Sequence, residues 1–285
     1  MIEALDHIAF AVRDLDAAVA GFEALTGRTA DWRAGFPGAR HAYIQLGNTA
    51  LDIVSPTGDG ASGDVLRARL ESHGEGIWGL ALATRQMGKV RHRLERVGIR
   101  SSEPVPMTGE AEDGATRVWT TSVLNPKATH GTNLFLVERE GETPPWRESP
   151  LAADIDTAVS GLDHVVVRTP DPERAAALYG ARLGLDMRLD RSNPDWGSRL
   201  MFFRLGDLVV EVAHDLKAGV STGPDSPWGL SWRVPDPDAA RARLAGAGFD
   251  VSEVRNGRKP GTRVFTVRDA PVGIPTLILG LAQAG

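Results

Sequence analysis

The stretch LDHIAFAVRDLDAAVAGFEALTG (residues 5–27) has a near copy in LDHVVVRTPDPERAAALYGARLG (residues 162–184). In each copy an Asp-His pair opens an apolar run typical of a strand, and a segment with an Asp near its start and a Gly at its end is typical of a helix. The repeat places His7 on His164 at an offset of 157 residues. A histidine repeated at the start of a strand is either a metal ligand or a polar residue that core packing tolerates.

The repeat continues along the chain in unchanged order. QLGNTALDIV (residues 45–54) matches RLGDLVVEVA (residues 204–213), and the motif Trp-Gly-Leu occurs once in each half. Ordered self-similarity of this kind indicates a duplicated chain. We therefore predict two homologous domains, residues 1–140 and 161–285, joined by a linker at residues 141–160 that is rich in proline and charge.

Each half divides again into two units of one strand, one helix and two strands, with room for a third strand. Apolar runs with turn signals predict the strands, and capping residues predict the helices. The predicted segments are 5–12, 14–27, 40–46 and 49–54; 77–84, 86–97, 116–122 and 132–138; 162–168, 172–183, 199–205 and 207–213; 229–234, 236–247, 262–267 and 274–281. The fold class predicted is α+β, with four such units in two tandem domains. GDGASG (residues 58–63) lacks the spacing of a P-loop and is predicted to be a flexible link.

Composition excludes several classes of protein. The chain has 285 residues, a net charge of −5 and no cysteine. Disulfides, iron–sulfur clusters and thiol nucleophiles are therefore excluded, and binding of nucleic acid is not expected. The amino terminus lacks the pattern of a signal peptide, and no apolar run is long enough for a membrane span. We expect a cytoplasmic protein without a membrane partner.

The ordered motifs resemble the vicinal oxygen chelate superfamily, whose members include glyoxalase I, methylmalonyl-CoA epimerase, bleomycin-resistance proteins and extradiol dioxygenases. The resemblance covers nearly the whole chain, and LDIVSP (51–56), GEGIWGLAL (74–82) and NPKATHGTNLFLVER (125–139) carry it together with the opening motif. It implies that four βαβββ units form two tandem domains with concave mixed sheets. It also implies that two units curl into a cup that holds a divalent metal and binds a small substrate through neighbouring oxygens.

The resemblance also implies four ligand positions in each domain. The first position falls on His7 and His164, and the second on Asp52 and Glu211. The other two positions lack ligands: the third falls on Gly79 and Gly229, and the fourth on Phe135 and Ile278. Each cup therefore keeps two of the four protein ligands implied by the family.

Three interpretations of the metal site stay open. In the first, the site is lost and the histidines remain as hydrogen-bonded residues of the cup. In the second, the first and third units pair, so that His7, Asp52, His164 and Glu211 form one shared site. In the third, a weaker site recruits other histidines, which are His41, His130 and His214. The cofactor is thus either one divalent metal (Zn, Ni, Co, Mn or Fe) or none.

Several further residues are candidates for substrate binding. Trp78 and Trp228 occupy equivalent places and are suited either to a flat wall for a planar ligand or to core packing. Arginines on predicted cup strands are suited either to a substrate carboxylate or to a solvated strand face. These arginines are Arg40, Arg117, Arg199 and Arg263, and His41 is a further candidate beside Arg40.

The function predicted is chemistry on, or binding of, a small carbonyl compound. As an enzyme the protein would resemble an isomerase, an epimerase or a lyase, with Asp52 or Glu211 as metal ligand or general base. The alternatives are a metal-free binding protein like the bleomycin-resistance members, and a dioxygenase of the extradiol type. Pairing of edge strands would allow a homodimer.

Overall fold

The computed structural model describes residues 1–111, 114–139 and 147–282. Residues 140–146, which include the start of the predicted linker, and residues 283–285 lie outside the described residues. Each half forms one mixed eight-stranded sheet. Among the described residues, none of the helices combines the length and the apolar character needed to span a bilayer.

In the part of the first half that the structure describes, there are eight strands and three helices. The strands are β1 (Ala4–Ala11), β2 (Trp32–Phe36), β3 (Ala39–Gln45), β4 (Ala50–Pro56), β5 (Gly76–Ala83), β6 (Val105–Glu110), β7 (Thr116–Val123) and β8 (Leu134–Arg139). The helices are α1 (Leu15–Thr26), α2 (Ala61–His73) and α3 (Met87–Arg96). The strand order is β2-β3-β4-β1-β5-β8-β7-β6.

The second half repeats this topology without a counterpart of α2. Its strands are β9 (Gly161–Arg168), β10 (Asp186–Asn193), β11 (Ser198–Leu205), β12 (Leu208–Asp215), β13 (Ser226–Arg233), β14 (Arg255–Asn256), β15 (Thr262–Val267) and β16 (Thr276–Leu281). Its helices are α4 (Pro172–Ala176), which continues as a π-helical segment (Ala177–Arg182), and α5 (Pro237–Gly246), and a short 3-10 turn spans Pro271–Gly273. The strand order is β10-β11-β12-β9-β13-β16-β15-β14.

The predicted α+β class and the two tandem domains are confirmed. In each sheet the first unit of the half joins the second unit through β1 and β5, or through β9 and β13. The first unit therefore does not pair with the third, and the shared four-ligand site that depended on this pairing is not formed.

Strand alternation separates two layers in each half. In β1, Ile8 and Phe10 point to the helical side and belong to a core of apolar residues that extends across both halves. His7 lies on the opposite, concave side. Residues 147–160 pack between the halves, where the buried Arg28 donates from Nε to the carbonyl oxygen of Val159 at 2.8 Å and from Nη1 to that of Ser149 at 2.8 Å.

The prediction of a flexible link at residues 58–63 is wrong in part, because α2 begins at Ala61. Gly38 and Gly63 lie so close that a Cβ atom on either would collide with the backbone of the other. This contact seats α2 on the concave face of the first sheet, where Leu66 and Leu70 pack among apolar residues of the sheet. The matching segment of the second half, residues 216–225, forms turns and no helix.

The two sheets also differ in how their edges meet. In the first sheet an isolated bridge joins Ala34 of β2 to Ala111, just beyond β6. In the second sheet the guanidinium of Arg258, in the β14–β15 turn, lies 4.1 Å from the ring of Trp196, in the β10–β11 turn. A helix and a backbone bridge thus cover the first concave face, whereas side chains alone span the second.

Candidate functional site

The second concave face surrounds a cavity of about 1120 Å³. Its floor comes from β12, β9 and β13, which are neighbours in the sheet. Its walls are largely apolar and aromatic, and include Leu189, Leu200, Phe202 and Trp228. A cavity of this size with a few polar groups on its floor is typical of a small-molecule site.

Three polar side chains share the floor of this cavity. Ser231 is the register partner of His164 on the adjacent strand, and Glu211 lies on the strand at the other side. Nε2 of His164 is 2.7 Å from Oγ of Ser231 and 3.4 Å from Oε2 of Glu211. Nδ1 of the same ring is 2.9 Å from Oδ2 of Asp163.

Glu211 is the carboxyl group best suited to proton transfer. Burial raises its pKa, and this effect outweighs the lowering effects of His164 and Arg258. A side-chain exposure of 15% keeps the group in contact with the cavity. A carboxyl group with a raised pKa in a cleft is characteristic of a general acid or base.

The mouth of the cavity is basic. Its lining there includes Arg191, Arg255, Arg258 and Lys259. None of these four side chains forms an ion pair with another side chain in the part of the chain that the structure describes. The acidic residues of the lining are Asp163 and Glu211, and Nε of Arg233 lies 3.1 Å from Asp163. The mouth is therefore suited to an anionic part of a ligand.

The first concave face is filled by aromatic side chains. Trp32 lies between Tyr43, at 5.3 Å between ring centroids, and Trp119, at 6.4 Å. Trp32 and Tyr43 are 3% and 2% exposed, which leaves little access to the groups beneath them. The guanidinium of Arg117 stacks on Trp32 at 4.8 Å.

Beneath these rings, Asp52 is in contact with two histidines. Its carboxylate oxygens lie 2.8 Å from Nδ1 of His41 and 3.8 Å from Nε2 of His7. Burial by itself would raise the pKa of Asp52, but the histidines and Tyr43 lower it by more, so the net shift is downward. The surroundings of Asp52 therefore favour its ionised form, whereas burial shifts the pKa of Glu211 in the opposite direction.

Packed side chains fill the space at the third and fourth ligand positions, where the sequence has no ligand residue. A Cβ atom on Gly79 would overlap the ring of Phe135, so these two residues fill one space together. In the second half Leu277, and not Ile278, is the register partner of Ser231 and lines the cavity. Ile278 is fully buried in the core on the helical side, so the assignment of the fourth position to Ile278 was wrong by one residue.

The donor sets do not fit the ligand requirement of a catalytic metal. Such a metal in proteins usually takes three or more protein ligands. Within residues 1–111, 114–139 and 147–282, no group of three or more His, Cys, Asp or Glu side chains is arranged to hold one. His7 and Asp52 lie in one sheet and His164 and Glu211 in the other.

The additional histidines have other partners. Nδ1 of His41 lies 2.8 Å from Asp52, and Nδ1 of His214 lies 3.0 Å from the backbone oxygen of Thr169. His130 has a φ of 56° and lies in the turn before β8.

The predicted substrate-binding residues fall in different places. Trp228 lines the open cavity, whereas Trp78 packs on Phe135 in the first half at 5.5 Å. Arg199 binds Glu173 and Asp190 outside the cavity. The other four residues also lie outside the cavity. His41 and Arg117 lie on the filled first face, and Arg40 is exposed on the other face of its strand. Arg263 binds Asp238 of α5.

Sequence reasoning did not identify several residues of this site. Ser231, Asp163, Trp196 and the basic residues of the mouth were all missed. Two signals were present in the sequence: RNGRKP (255–260) is a basic turn, and Ser231 lies two positions beyond Gly229 and so shares its face. The pairing of Ser231 with His164 depends on strand register, which the sequence alone does not give.

Comparison with known proteins agrees with this architecture. A profile described as "Glyoxalase-like domain" matches residues 5–159, more than half of the chain, and one described as "Glyoxalase/Bleomycin resistance protein/Dioxygenase superfamily" matches residues 163–266. An ethylmalonyl-CoA/methylmalonyl-CoA epimerase of Cereibacter sphaeroides is 33% identical over 100 residues, which are 33% of this chain and 75% of that protein. A mitochondrial methylmalonyl-CoA epimerase of Homo sapiens is 30% identical over 111 residues, which are 37% of this chain and 59% of the relative.

Solved structures show the same fold over the whole chain. A variant of 4-hydroxymandelate synthase from Streptomyces coelicolor superposes with a TM-score of 0.73 at 14% identity, covering 99% of this chain and 94% of that one. BphC, a halotolerant catechol dioxygenase, gives a TM-score of 0.63 at 14% identity, covering 98% of this chain and 87% of that one. At these identities the likeness concerns the fold. Taken with the two profiles, these matches show that the chain belongs to the glyoxalase/bleomycin resistance protein/dioxygenase superfamily.

Proposed function

We propose that the second cup removes and returns a proton next to the carbonyl group of a small anionic compound, as an isomerase or epimerase does. Glu211 is the proposed base. The observation that carries this proposal is a carboxyl group with a raised pKa that faces an open cavity beside His164. A base works best when its pKa approaches the working pH, and burial moves Glu211 in that direction.

The lining supports a substrate that is apolar in one part and negatively charged in another. Leu200 and Phe202 offer apolar contact near the floor, and Arg255, Arg258 and Lys259 offer positive charge at the mouth. Two of the matched relatives are named as epimerases of methylmalonyl-CoA, one of them also of ethylmalonyl-CoA. Acyl-CoA esters combine a short acyl group with phosphates, so they are the first substrates to test.

In the proposed reaction the carboxylate of Glu211 takes a proton from the carbon next to the carbonyl group. The electrons of the C–H bond move into the enolate. Return of the proton from Glu211 to the same face restores the substrate, and epimerisation requires that a proton from solvent reach the opposite face of that carbon. The apolar walls lower the local dielectric, which strengthens the interactions of the developing charge with the floor.

The first cup has a structural role in this proposal. Its carboxylate is paired with histidines and its face is covered by Trp32, Trp119 and α2. A ligand would have to displace this packing to reach Asp52. The first half would then support the second sheet through the packing between the two halves.

The test is exchange of the α-proton in D2O. The full chain is incubated with methylmalonyl-CoA, and loss of the α-proton signal is followed by NMR with wild type and Glu211→Gln. We expect exchange with wild type, and a loss of roughly 100-fold or more with the variant, since general bases contribute about 10²- to 10⁴-fold. Equal exchange rates in both proteins would contradict the role of Glu211, and no exchange above the protein-free background would contradict this substrate.

A second candidate function is binding without chemistry. The observation that favours it is the pair of exposed indoles, Trp196 and Trp228, at 43% and 39% exposure around the cavity. A binding protein would hold a planar compound between aromatic side chains and would not exchange the α-proton of any ligand that it binds. Tight binding of the acyl-CoA ester with no exchange would favour this alternative.

A further inference from the structure

The floor of the open cup carries a continuous chain of hydrogen bonds. Asp163 precedes His164 in β9, and Ser231 lies opposite His164 in β13. Oδ2 of Asp163 is 2.9 Å from Nδ1, and Oγ of Ser231 is 2.7 Å from Nε2 of the same imidazole. Both contacts have ordinary hydrogen-bond length.

The chemistry of the imidazole assigns the direction of these bonds. An ionised carboxylate only accepts hydrogen bonds, so Nδ1 of His164 donates to Asp163. In this tautomer Nε2 carries no proton and accepts from Oγ of Ser231. A ligand acceptor in the cavity would give the hydroxyl proton a second partner, while the imidazole keeps Oγ in place at the floor.

The two cups of the chain provide an internal comparison. The register partner of His7 in the filled cup is Ala81, whereas the register partner of His164 in the open cup is Ser231. A serine hydroxyl therefore pairs with the strand histidine in the cup whose carboxyl group has the raised pKa, and an alanine stands at the equivalent place in the other cup. Ser231 is 2% exposed and lines the cavity, so its hydroxyl is a buried polar group at the ligand surface.

We propose that Ser231 is a catalytic residue that holds the carbonyl oxygen of the substrate and donates a hydrogen bond to that oxygen as it becomes the enolate oxyanion. His164 and Asp163 are positioning residues that hold the hydroxyl group of Ser231 at the floor of the cavity. This inference rests on the proposed function, in which Glu211 forms the enolate. The proton that leaves carbon goes to Glu211, the C–H electron pair becomes the enolate, and the hydroxyl of Ser231 keeps its proton throughout.

The geometry of the floor suits this division of roles. Glu211, His164 and Ser231 lie on three successive strands, so the base and the hydroxyl flank the imidazole on opposite sides. A substrate that lies across His164 would place its α-carbon near Glu211 and its carbonyl oxygen near Ser231. An enolate is stabilised when a hydrogen-bond donor of the protein points at its oxygen. This stabilisation forms no covalent bond to the protein.

The first test measures binding of an enolate mimic and does not depend on turnover. Propane-2-nitronate is a planar anion with its charge on oxygen, and neutral 2-nitropropane is the control probe. Both are titrated by NMR into wild type, Ser231→Ala and Ser231→Thr. We expect Ser231→Ala to weaken binding of the nitronate by roughly 10- to 100-fold, as is typical for loss of a hydrogen bond to a charged group, and to leave the neutral probe unchanged. Ser231→Thr keeps the hydroxyl and should retain most of the affinity.

The second test is kinetic. With methylmalonyl-CoA in D2O, Ser231→Ala should lower kcat by about 10²- to 10³-fold with little change in KM, because the bond forms in the transition state. The substitution places at 231 the residue that β5 carries at 81, so the strand accommodates alanine. Circular dichroism and the melting temperature verify the fold of each variant.

The outcomes separate this inference from the proposed function. Equal affinity of wild type and Ser231→Ala for the nitronate, including no binding to either, overturns the role of Ser231. Normal turnover by Ser231→Ala beside inactive Glu211→Gln overturns it as well and leaves the proposed function intact. A nitronate that prefers wild type, with no exchange of methylmalonyl-CoA, supports Ser231 and contradicts the proposed substrate.

Discussion

Asp52 and Glu211 occupy equivalent positions in the two sheets, each beside the residue two places beyond the strand histidine, yet their pKa values shift in opposite directions. Burial acts on both carboxyl groups. The pKa of Asp52 is lowered because His41 lies 2.8 Å from it and His7 and Tyr43 add to the effect, whereas Glu211 has one histidine at 3.4 Å and faces a cavity. Equivalent positions thus hold a carboxylate in contact with two histidines in one half and a candidate base in the other.

This difference predicts opposite results for two matched substitutions. Asp52→Asn should lower the free energy of unfolding by about 1–3 kcal/mol, because it removes the charge that the buried histidines contact. Its α-proton exchange at a temperature below the melting transition should match wild type. Glu211→Gln should lose the exchange. A raised folded-state pKa of an acid means that its ionisation opposes folding at neutral pH, so this variant should be as stable as wild type or more stable.

Urea unfolding and the exchange assay measure the two effects on the same preparations. If Asp52→Asn abolished exchange while remaining folded, the first cup would have to take part in the reaction. If both variants lost exchange equally, the assignment of chemistry to the second cup alone would be wrong.

The arginine at the mouth predicts a change in substrate affinity and in pH dependence. Arg258→Ala should raise the KM for an acyl-CoA ester by roughly 3- to 5-fold, since a solvent-exposed ion pair contributes up to about 1 kcal/mol. Arg258 is also one of the charges that lower the pKa of Glu211, so its removal should raise that pKa further. The acidic limb of the kcat/KM profile should then move to higher pH, because the base must be ionised.

The control is Arg268→Ala, which removes an exposed arginine that binds Asp250 away from the cavity. It should change neither KM nor the pH profile. A similar KM effect from both variants would mean that total charge, and not the mouth of the cup, governs binding. The KM of wild type should rise with ionic strength more steeply than that of Arg258→Ala.

Much of the fold was predictable because the duplication carries strong local signals. The Asp-capped helices after β1 and β9 and the strand pairs around Gly47 and Gly206 follow from turn and capping residues. The helix α2 was missed because its start, GDGASG, is rich in residues that favour loops, and the close contact of Gly38 and Gly63 that seats it is a tertiary one. Its mean hydropathy is low, so packing rather than propensity decides its position.

The site was predictable only in part. His164 and Glu211 were found from the repeat, and strand alternation places them on one face. The closed state of the first cup was not predictable, since it depends on how Trp32 and Trp119 meet from strands far apart in sequence. The hydrogen bond between Ser231 and His164 depends on the antiparallel register of β13 and β9, which a pattern of residue types does not fix.

The buried ion pair of Asp6 and Arg139 predicts a pH-dependent contribution to stability. Nε and Nη2 of Arg139 donate to the two oxygens of Asp6 at 2.7 and 2.6 Å. Burial alone would raise the pKa of Asp6, but His7 and Arg139 lower it by more. Since the folded-state pKa is depressed, the stabilisation is fully present above the unfolded pKa of about 3.9 and is lost as the pH falls toward the folded value.

Asp6→Asn should therefore be less stable than wild type by about 3–5 kcal/mol at pH 7, and this difference should shrink as the pH falls below about 4. Urea unfolding between pH 2.5 and 7, a range set around that reference value, measures it. Asp59→Asn changes an exposed carboxyl group, so its free energy of unfolding should change with pH as that of wild type does. A constant difference between wild type and Asp6→Asn over the whole range would mean that the charge of Asp6 has no part in the effect.

The contact of Gly79 with Phe135 predicts that position 79 tolerates no side chain. A Cβ atom at 79 would overlap the Phe135 ring and would lie 2.9 Å from the backbone oxygen of Asn133, so Gly79→Ala should lower the free energy of unfolding by roughly 1–3 kcal/mol. Gly79→His, which restores the residue that the family pattern implies, should be more destabilising still and should bind no metal, because Phe135 occupies the space of the ligand opposite. Gly88→Ala is the matched control, since nothing lies within 4 Å of a Cβ atom there and helix α3 should gain about 0.5–1 kcal/mol. Thermal and urea unfolding of the three variants measures these changes. The prediction would be wrong if Gly79→His were as stable as wild type and bound one equivalent of metal.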